Sequence, residues 1–589
     1  MEVDKTSFYP LLLDILTDIS ESHFVAIDLE LSGVPSKGIR TTPGKQTLAE
    51  RYLETKAAAE RYQILQIGVT CVTQDVEHGK YVLRPYNFDL NPLIEERNLD
   101  IERIFSYQSG AVEFLLNVGF DLARPFHTGV PYLSRHEAKE AREKQTKRAD
   151  KSSLADINIK PTDLETLAFL ARVREEIAAW LAKQDPETPE YLDIAPLELT
   201  EQEVIAGKTA ANVGELSRFE KRLVHQLVRA EYPTLITISK RGYIQVKALD
   251  QEREDRFAAE RRRSSREAIN RQKGFRWIID ALLGRDISQL DLRECARNSV
   301  TGEQIFVDMD DMSARFHRAS SLMRYNPRIL VGHNCFLDLV YIYRTFIGAL
   351  PETVEGFQAA LHECWPVIVD TKYMSTHECG DINPVSSLEQ IAEQMSRQLT
   401  PTLEVEEHHG KYTDVEAFHE AGFDSFLTAQ IMVKLSAKLE REGMYKTNVE
   451  DAALQKKTKA LALTDEAPTN GHVYSDENNF VPSDPNADWK HGGDPSVGPP
   501  VPQNRVIKYD NTAQMEAVIE GGMPKMGGAF WRVYGNKLRV FGTEEGVCVL
   551  APVEQEVEVE AEVEVEEDED GEGGGGVGLL AVKAPRPVV

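Results

Sequence analysis

The stretch Phe24-Val-Ala-Ile-Asp-Leu-Glu-Leu-Ser-Gly33 predicts the centre of the fold. Its apolar, partly β-branched run is typical of a buried strand, and alternate side chains of a strand project from one face, which places Asp28 and Glu30 together. Two carboxylates that close repel each other and are costly to desolvate unless a cation neutralises them. Hard oxygen ligands favour Mg²⁺ or Mn²⁺. An isolated Asp-x-Glu, however, is more often a pair of solvated acids on a strand edge.

A second acid follows a second strand-like run. The segment Arg328-Ile-Leu-Val-Gly-His-Asn334 predicts a short strand that ends in a glycine turn, and residues 336–343 predict the helix after it. Asp338 then lies in the first turns of that helix, where the helix dipole favours an acid and where open α/β sheets place their ligands. Taken alone, an acid at a helix start is more often structural.

The third element combines a histidine with an acid. Apolar residues recur at helical spacing from Phe423 onward, which puts Asp424 near the helix start and His419 in the turn before it. Five residues is a poor separation for two side chains on one helix face, but such a turn can bring His419 over the carboxylates. A neutral histidine beside metal-bound water is a suitable general base near neutral pH. The alternative is a surface histidine at a helix entry.

The order of these motifs resembles a known family. Asp-x-Glu, then Gly-His-Asn-x-x-x-Asp, then His-x-x-x-x-Asp is similar to the DEDDh exonuclease superfamily, and within it to the poly(A)-specific ribonuclease (PARN-like) deadenylases. Further segments resemble that family in the same order; they are residues 29–33, Gln66-Ile-Gly68, residues 108–121, Gly129-Val-Pro-Tyr-Leu133 and residues 369–374. The resemblance covers residues 1–440.

The resemblance implies a fold, a metal site and a reaction. The fold would be α/β and ribonuclease H-like, a mixed sheet with helices on both faces. Asp28, Glu30, Asp338 and Asp424 would hold two Mg²⁺ ions, with Mn²⁺ as a substitute, and His419 would take a proton from the attacking water. The chain would then be a homodimeric 3′→5′ exoribonuclease that binds single-stranded RNA with a 3′ poly(A) tail and releases 5′-AMP.

Substrate contacts carry over less completely. Leu31, Ser32 and Lys372 match positions that reach RNA in the family, but Leu31 stands where the family commonly has an aromatic residue. Adenine preference therefore rests on less than exonuclease activity does. Asp370 is expected to be structural, because the family pattern uses four acids. A PARN-like enzyme that trims the 3′ ends of small non-coding RNAs would share every catalytic residue, and a catalytically inactive RNA-binding scaffold is the alternative from another class.

The composition of the chain suggests several regions. With 589 residues it is too long for one ordinary domain. We expect the nuclease in residues 1–165 and 251–440, with an inserted α/β module in 166–250. A linker in 441–505 would lead to a small α+β region in 506–552, for which an RNA-recognition-like fold is one candidate. The tail, residues 553–589, is acidic and glycine-rich and is expected to be disordered. The insert resembles the family's single-stranded nucleic-acid-binding module, with His225 in place but Lys221 where the motif has arginine.

Two C-terminal features are also predicted. Residues 529–535 and 537–542 resemble a β-hairpin around Gly535-Asn536. Trp531 is expected in a core. The acidic tail accounts for much of the net charge of −29, which fits a solubilising segment as well as one that binds basic partners.

The remaining patterns bear on compartment and on other metals. Six cysteines without close pairing indicate a reducing compartment, and no long apolar stretch predicts a membrane span. We expect the nucleus, the cytoplasm or both. The triplets His362-Glu-Cys364 and His377-Glu-Cys379 lack the usual spacing of a zinc site. Arg261-Arg-Arg-Ser-Ser-Arg266 could approach RNA phosphates or act as a nuclear-import signal, although the acids among these arginines equally fit a solvated helix.

Overall fold

The computed structural model describes residues 1–35, 46–149, 156–183, 190–196, 215–443, 445–446, 518–541 and 546–550. The strands are β1 (Glu2–Val3), β2 (Phe24–Leu31), β3 (Ile64–Asp75), β4 (Lys80–Asn91), β5 (Val130–Pro131), β6 (Tyr191–Ile194), β7 (Leu235–Ser239), β8 (Ile244–Ala248), β9 (Ile329–Gly332), β10 (Ile368–Asp370), β11 (Thr402–Val405), β12 (Lys537–Arg539) and β13 (Val547–Val549).

The α-helices are α1 (Phe8–Glu21), α2 (Leu48–Ala59), α3 (Ser109–Asn117), α4 (Arg124–His127), α5 (Arg135–Ala149), α6 (Leu164–Ala182), α7 (Arg218–Glu231), α8 (Gln251–Lys273), α9 (Arg276–Leu282), α10 (Leu292–Cys295), α11 (Met309–Tyr325), α12 (Phe336–Ile342), α13 (Val354–Cys364), α14 (Thr371–Met374), α15 (Leu388–Ser396), α16 (Ala421–Glu442) and α17 (Ala529–Tyr534). Among these described elements, no helix is both long and apolar enough to cross a membrane.

The central sheet is mixed, as predicted. Its main path runs β1-β4-β3-β2-β9-β10, and β5 and β11 also pair with β4. Strand β3 is antiparallel to both β2 and β4, whereas β9 is parallel to both β2 and β10. The carboxyl ends of β2, β9 and β10 therefore meet at one edge, where the loops after parallel strands gather functional groups.

Helices cover both faces of this sheet, which confirms that part of the prediction. Val25 and Ile27 of β2 pack in one apolar cluster with α1, α9, α11, α12 and α13. The alternate residues Phe24 and Ala26 pack in a second cluster with α14, α15, α16 and α17. Because side chains alternate across a strand, the continuation of the second set points the carboxylates of β2 toward α16.

The inserted region contains a separate small sheet. Its antiparallel order is β6-β8-β7, and residues of α6 and α7 pack with it in an apolar cluster of their own. The Lys221 ammonium donates hydrogen bonds to the carbonyls of Lys240 and Arg241, at 2.8 and 2.7 Å. These hydrogen bonds stabilise the turn between β7 and β8, so Lys221 has a structural role. The RNA-binding role of the module stays a prediction.

The C-terminal segment corrects one prediction. Residues 529–534 form helix α17 instead of a strand, and the hairpin joins β12 to β13. Phe530 and Tyr534 are four residues apart, so a helix turns both toward the core together with Trp531, and all three are buried. A strand would have turned Trp531 away from the other two.

This segment packs onto the central sheet. Asn536 exchanges two hydrogen bonds with Ile368 of the edge strand β10, its N–H donating to the carbonyl at 2.8 Å and its Oδ1 accepting the N–H at 2.9 Å. Leu538 and Cys548 join the same apolar cluster as α1 and α12. Residues 518–541 and 546–550 thus complete the core. The predicted linker beyond residue 446 and the acidic tail lie outside the described residues.

Candidate active site

The two acids of β2 face a glycine and a glutamine on β3. In the antiparallel ladder Asp28 pairs with Gly68, and Glu30 pairs with Gln66. A Cβ on Gly68 would lie 1.8 Å from the carbonyl oxygen of Ala421, the first residue of α16. Only glycine allows this close approach of a helix start to a strand. The approach brings the first turn of α16 to the face that carries both acids.

Amide side chains hold the start of α16 in place. Gln66 Oε1 accepts the N–H of Ala421 at 2.9 Å, and Asn87 Oδ1 accepts the N–H of Gly422 at 3.0 Å. Helix-start N–H groups have no partner within the helix, so these two bonds supply what the backbone lacks. Gln66 also donates to Asp89 Oδ1 at 2.9 Å, which fixes the orientation of its amide. Asp424, in the first turn of α16, is positioned by this network.

A buried carboxylate organises the loop that leads to Asp338. Asp370 Oδ1 accepts the N–H groups of Asn334 and Lys372, at 2.7 and 2.9 Å, and Oδ2 accepts the N–H of Arg539 at 2.8 Å. Asn334 adopts a left-handed backbone, with φ 55°, which asparagine tolerates better than most residues. The hydrogen bond that Asp370 accepts from the N–H of Asn334 stabilises this turn before α12. Asp370 therefore supports this turn, and its exclusion from the metal ligands stays a prediction.

His419 reaches the acids through a left-handed turn. Its φ is 65°, and its backbone N–H donates to Asp424 Oδ2 at 3.2 Å. The imidazole lies edge-on to the Phe114 ring, with 4.8 Å between ring centres. One ligand atom from each of Glu30, His419 and Asp424 lies within 4.8 Å of the other two. The turn before α16 thus brings together three of the predicted site residues.

Mutual repulsion links all four acids. Burial raises the pKa of Asp28 well above its usual value, and the charges of Asp424, Asp338 and Glu30 raise it further. The pKa of Glu30 is also raised well above its usual value, first by burial and then by Asp424 and Asp338. Burial raises the pKa of Asp338 to about 7, with a further contribution from Asp370. Burial likewise raises the pKa of Asp424 to about 7.

Among the described residues, no lysine or arginine relieves this repulsion. Within the described part of the chain, none of Asp28, Glu30, Asp338 and Asp424 forms an ion pair with a lysine or arginine. Four carboxylates gathered at one end of a sheet without a counter-charge form a donor set that fits hard divalent cations such as Mg²⁺ and Mn²⁺. The arrangement therefore has the chemistry of a metal centre.

Two of the predicted substrate-binding residues, Leu31 and Ser32, make contacts within the protein itself. Leu31 is 7% exposed and packs in the apolar cluster on the face opposite the acids. The Ser32 hydroxyl donates to the carbonyl of Ser106 and accepts the N–H of Gln63, both at 2.8 Å. These contacts join the end of β2 to neighbouring loops. Binding of RNA by Leu31 or Ser32 stays a prediction.

Lys372 is also engaged within the fold. It is 5% exposed, and its ammonium donates to the carbonyls of Pro384 and Ser386 at 2.9 and 2.7 Å. An RNA contact of Lys372 likewise stays a prediction.

Cys364 and Cys379 belong to the two His-Glu-Cys triplets. Among the described residues, only Glu30, His419 and Asp424 form a cluster of three or more possible metal ligands, so neither cysteine lies in such a cluster.

Sequence reasoning missed the supporting residues of the site. Gln66 and Gly68 belong to one segment that resembles the family, and Phe114 belongs to another. The sequence assigns none of the three a role in the site. A glycine inside an otherwise apolar strand is a signal of close backbone approach, and Gly68 carries that signal. The contact between Phe114 and His419 has no counterpart in local sequence, because the two residues lie on separate elements.

Comparison with known proteins places the chain in a family. Residues 3–432 match the model described as CAF1 family ribonuclease. The chain belongs to the CAF1 ribonuclease family. This CAF1 family member is 25% identical over 451 residues to the poly(A)-specific ribonuclease PARN of Xenopus laevis, which is 74% of this chain and 62% of that protein. It is 26% identical over 498 residues to PARN of Arabidopsis thaliana, which is 77% of this chain and 66% of the relative.

The predicted similarity to PARN is thus confirmed, although the chain spans less than two thirds of the length of these relatives. Among solved structures, the Mg²⁺- and Mn²⁺-bound form of Pop2p from S. pombe is similar with a TM-score of 0.31 and 12% identity, over 73% of this chain and 89% of that one.

Proposed function

We propose that this CAF1 family chain is a Mg²⁺-dependent 3′→5′ exoribonuclease that shortens poly(A) tails and releases 5′-AMP. The observation that carries the proposal is the cluster of Glu30, Asp424 and His419, with Asp28 and Asp338 near enough to interact with its acids. None of the four acids is paired with a lysine or arginine among the described residues. Membership in a ribonuclease family supports the same reaction class. Similarity to relatives that are named poly(A)-specific ribonucleases supports the choice of substrate.

Asp28, Glu30, Asp338 and Asp424 would hold the metal. Burial is the main cause of their raised pKa values, and the charges of neighbouring acids raise the pKa of Asp28 and Glu30 further. Ligand carboxylates bind metal in their deprotonated form. Two Mg²⁺ ions, when bound, supply Lewis-acid activation of water and stabilisation of the leaving oxygen. The side chains of Gln66 and Asp370 accept hydrogen bonds from backbone N–H groups and so fix the turns that carry these ligands.

His419 would act as the general base. Its ring lies beside Glu30 and Asp424, so it is placed to accept a proton from a water that attacks the terminal phosphodiester. The bond from water oxygen to phosphorus forms, the bond from phosphorus to the 3′ oxygen of the preceding nucleotide breaks, and that oxygen is protonated by solvent. The edge contact with Phe114 restricts the imidazole. The product is a 5′-nucleotide and a chain shorter by one.

The proposal extends to partners and compartment. The substrate is single-stranded RNA with a 3′ poly(A) tail, and the protein acts as a homodimer in the nucleus, the cytoplasm or both. Support for the dimer comes from the family resemblance alone. Light scattering coupled to size-exclusion chromatography of the full chain tests it, since a mass of one chain across a range of micromolar concentrations would contradict a dimer.

The decisive assay uses RNAs that differ only at the 3′ end. The full chain is incubated in Mg²⁺ with 5′-labelled RNAs ending in A, U or C tracts, beside Asp28→Ala and the control Asp414→Ala, which changes an exposed acid outside the cluster. A ladder on the A-tailed RNA alone, with 5′-AMP as the released product, is expected for the parent and the control. Ladders on all three RNAs would favour general trimming. Asp28→Ala is expected to give no ladder. If the unmodified chain also gives no ladder on any RNA but still binds RNA, a binding scaffold is favoured.

A further inference from the structure

A basic groove lies apart from the acid cluster. It has a volume of 1310 Å³ and is lined mainly by residues of α5, α8 and α9. Six of its lining residues are cationic and two are acidic; they are Arg142, Arg261, Arg262, Arg266, Lys273 and Arg276, with Glu260 and Asp286. In a chain of net charge −29 this is a local reversal of sign. None of the four metal-binding acids lines the groove.

The floor of the groove contains a buried arginine with spare hydrogen-bonding capacity. Arg276 is 4% exposed, and its Nη1 has no hydrogen-bond partner within the described residues. Its nearest acid, Asp280, lies 3.4 Å from Nε but is shared with Arg135 at 2.7 Å and Lys273 at 2.9 Å. Three cations thus share one carboxylate. A buried guanidinium with unsatisfied donors is costly unless an anion meets it.

Four exposed arginines of α8 differ in their partners and in their position relative to the groove. Arg263 pairs with Glu260 and Glu267, and Arg271 pairs with Glu96 at 2.6 Å. Neither of these two lines the groove. By contrast, Arg262 and Arg266 line the groove and form no ion pair with any described residue. Acidic neighbours therefore neutralise Arg263 and Arg271, whereas Arg262 and Arg266 remain available to an anion in the groove.

Arg142 adds a second helix to the same site. It is exposed on α5, lines the groove and lies near enough to Arg276 for its charge to disfavour the charged form of that residue. Guanidinium groups from α5, α8 and α9 therefore converge. Planar guanidinium groups bind phosphate oxygens with two parallel hydrogen bonds, which makes phosphate the best-matched ligand.

We propose that this groove binds the phosphate backbone of single-stranded RNA at a distance from the acid cluster. The span of α8 from Arg261 to Lys273 is roughly 18 Å at the helical rise per residue. A single phosphate group needs far less, whereas a strand presents a row of phosphates. The acid cluster itself repels RNA, so a separate basic track gives the polyanion an attractive surface. The choice of RNA as the ligand rests on the proposed function; the anion site does not.

Equilibrium binding tests the groove without turnover. The full chain carrying Asp28→Ala is titrated against a fluorescein-labelled oligoadenylate across a range of KCl concentrations, with or without Arg262→Gln and Arg266→Gln. Loss of two phosphate contacts is expected to raise Kd about tenfold near physiological salt and to lower the slope of log Kd against log salt by about 1.4. The matched control, Arg263→Gln with Arg271→Gln, also removes two arginines from α8 and should stay within about twofold of the parent.

Each other result has a defined meaning. Equal Kd values and slopes for the groove variant and its control would overturn the proposal. A second measurement separates RNA from free polyphosphate, using inorganic tripolyphosphate as the probe. If tripolyphosphate raises the unfolding temperature of the parent but not of the groove variant, while RNA affinity is unchanged, the groove takes a small anion and the RNA assignment is wrong.

The test also stands apart from the proposed nuclease activity. Both changed residues are exposed, so folding is retained and can be verified by circular dichroism, and neither belongs to the acid cluster. If the groove variant binds RNA more weakly than its control while the chain with Asp28 intact shows no Mg²⁺-dependent ladder, the groove assignment stands and the exoribonuclease proposal fails.

Discussion

Gly68 lies opposite Asp28 in the β2–β3 ladder, and a Cβ on Gly68 would lie 1.8 Å from the carbonyl oxygen of Ala421. One backbone position therefore joins the strand that carries two of the acids to the helix that carries Asp424. The distance between these elements depends on the absence of a side chain. The same contact explains why an apolar strand contains a glycine where it would otherwise weaken the sheet.

We expect Gly68→Ala to disable the site. The added methyl must push the start of α16 away, which shifts Asp424 and His419 relative to Asp28, and a displacement near 1 Å can cost about 100-fold in rate. Mg²⁺-dependent shortening of A-tailed RNA measures the effect. Gly410→Ala is the control, because a Cβ there meets only Thr413 Oγ1 at an ordinary 3.6 Å. Equal activity of the two variants would show that the α16 contact does not set the geometry.

Removal of the imidazole should reduce kcat more than binding. His419 has φ 65°, a conformation that asparagine tolerates, so His419→Asn removes the proposed base with little change to the turn. We expect kcat to fall about 10²- to 10⁴-fold. RNA affinity, measured by anisotropy in Ca²⁺, should change by less than about threefold. A variant that kept parental kcat would exclude His419 as the base.

Without divalent metal, stability should fall as pH rises from 5 to 8. The pKa of Asp338 and of Asp424 is raised from 3.8 to about 7, so the folded protein binds more protons than the unfolded chain across that interval. Stability is then lost as these groups ionise in the folded state. Thermal unfolding in EDTA measures the trend.

The control for this pH effect changes the two titrating groups. Asp338→Asn combined with Asp424→Asn should flatten the dependence in EDTA, because two of the groups that repel each other no longer ionise. Mg²⁺ should stabilise the parent at pH 8 but have little effect on this double variant. A parent and a variant with the same slope in EDTA would contradict the electrostatic account of the cluster.

Truncation of Trp531 should destabilise the nuclease core. The indole is 7% exposed, packs with α16 in one apolar cluster and donates to the carbonyl of Pro524 at 3.2 Å. Trp531→Ala is expected to lower the free energy of unfolding by about 3–5 kcal/mol. Chemical denaturation followed by circular dichroism measures it, with Val518→Ala, at a 44% exposed site, as the control. A separate early transition for the C-terminal segment would instead indicate an independent unit.

The sequence by itself determined the local elements and the chemistry they carry. The alternation in Phe24 to Leu31 placed Asp28 and Glu30 on one face, and helical periodicity placed Asp338 and Asp424 near helix starts. Such patterns depend on neighbours along the chain, so a single sequence contains them. Where two periods compete over a short run, as at Phe530 to Tyr534, the local pattern misled, since packing against the sheet selected the helix.

Tertiary structure alone decided which distant residues meet. The convergence of Glu30, His419 and Asp424 depends on the fit of α16 against Gly68, and the engagement of Ser32 and Lys372 with backbone carbonyls depends on loops far away in sequence. The family resemblance could name the acids, but it could not show that the segment around Trp531 completes their core. Contacts between elements are set by the shapes and hydrogen-bond partners of surfaces that come together only on folding.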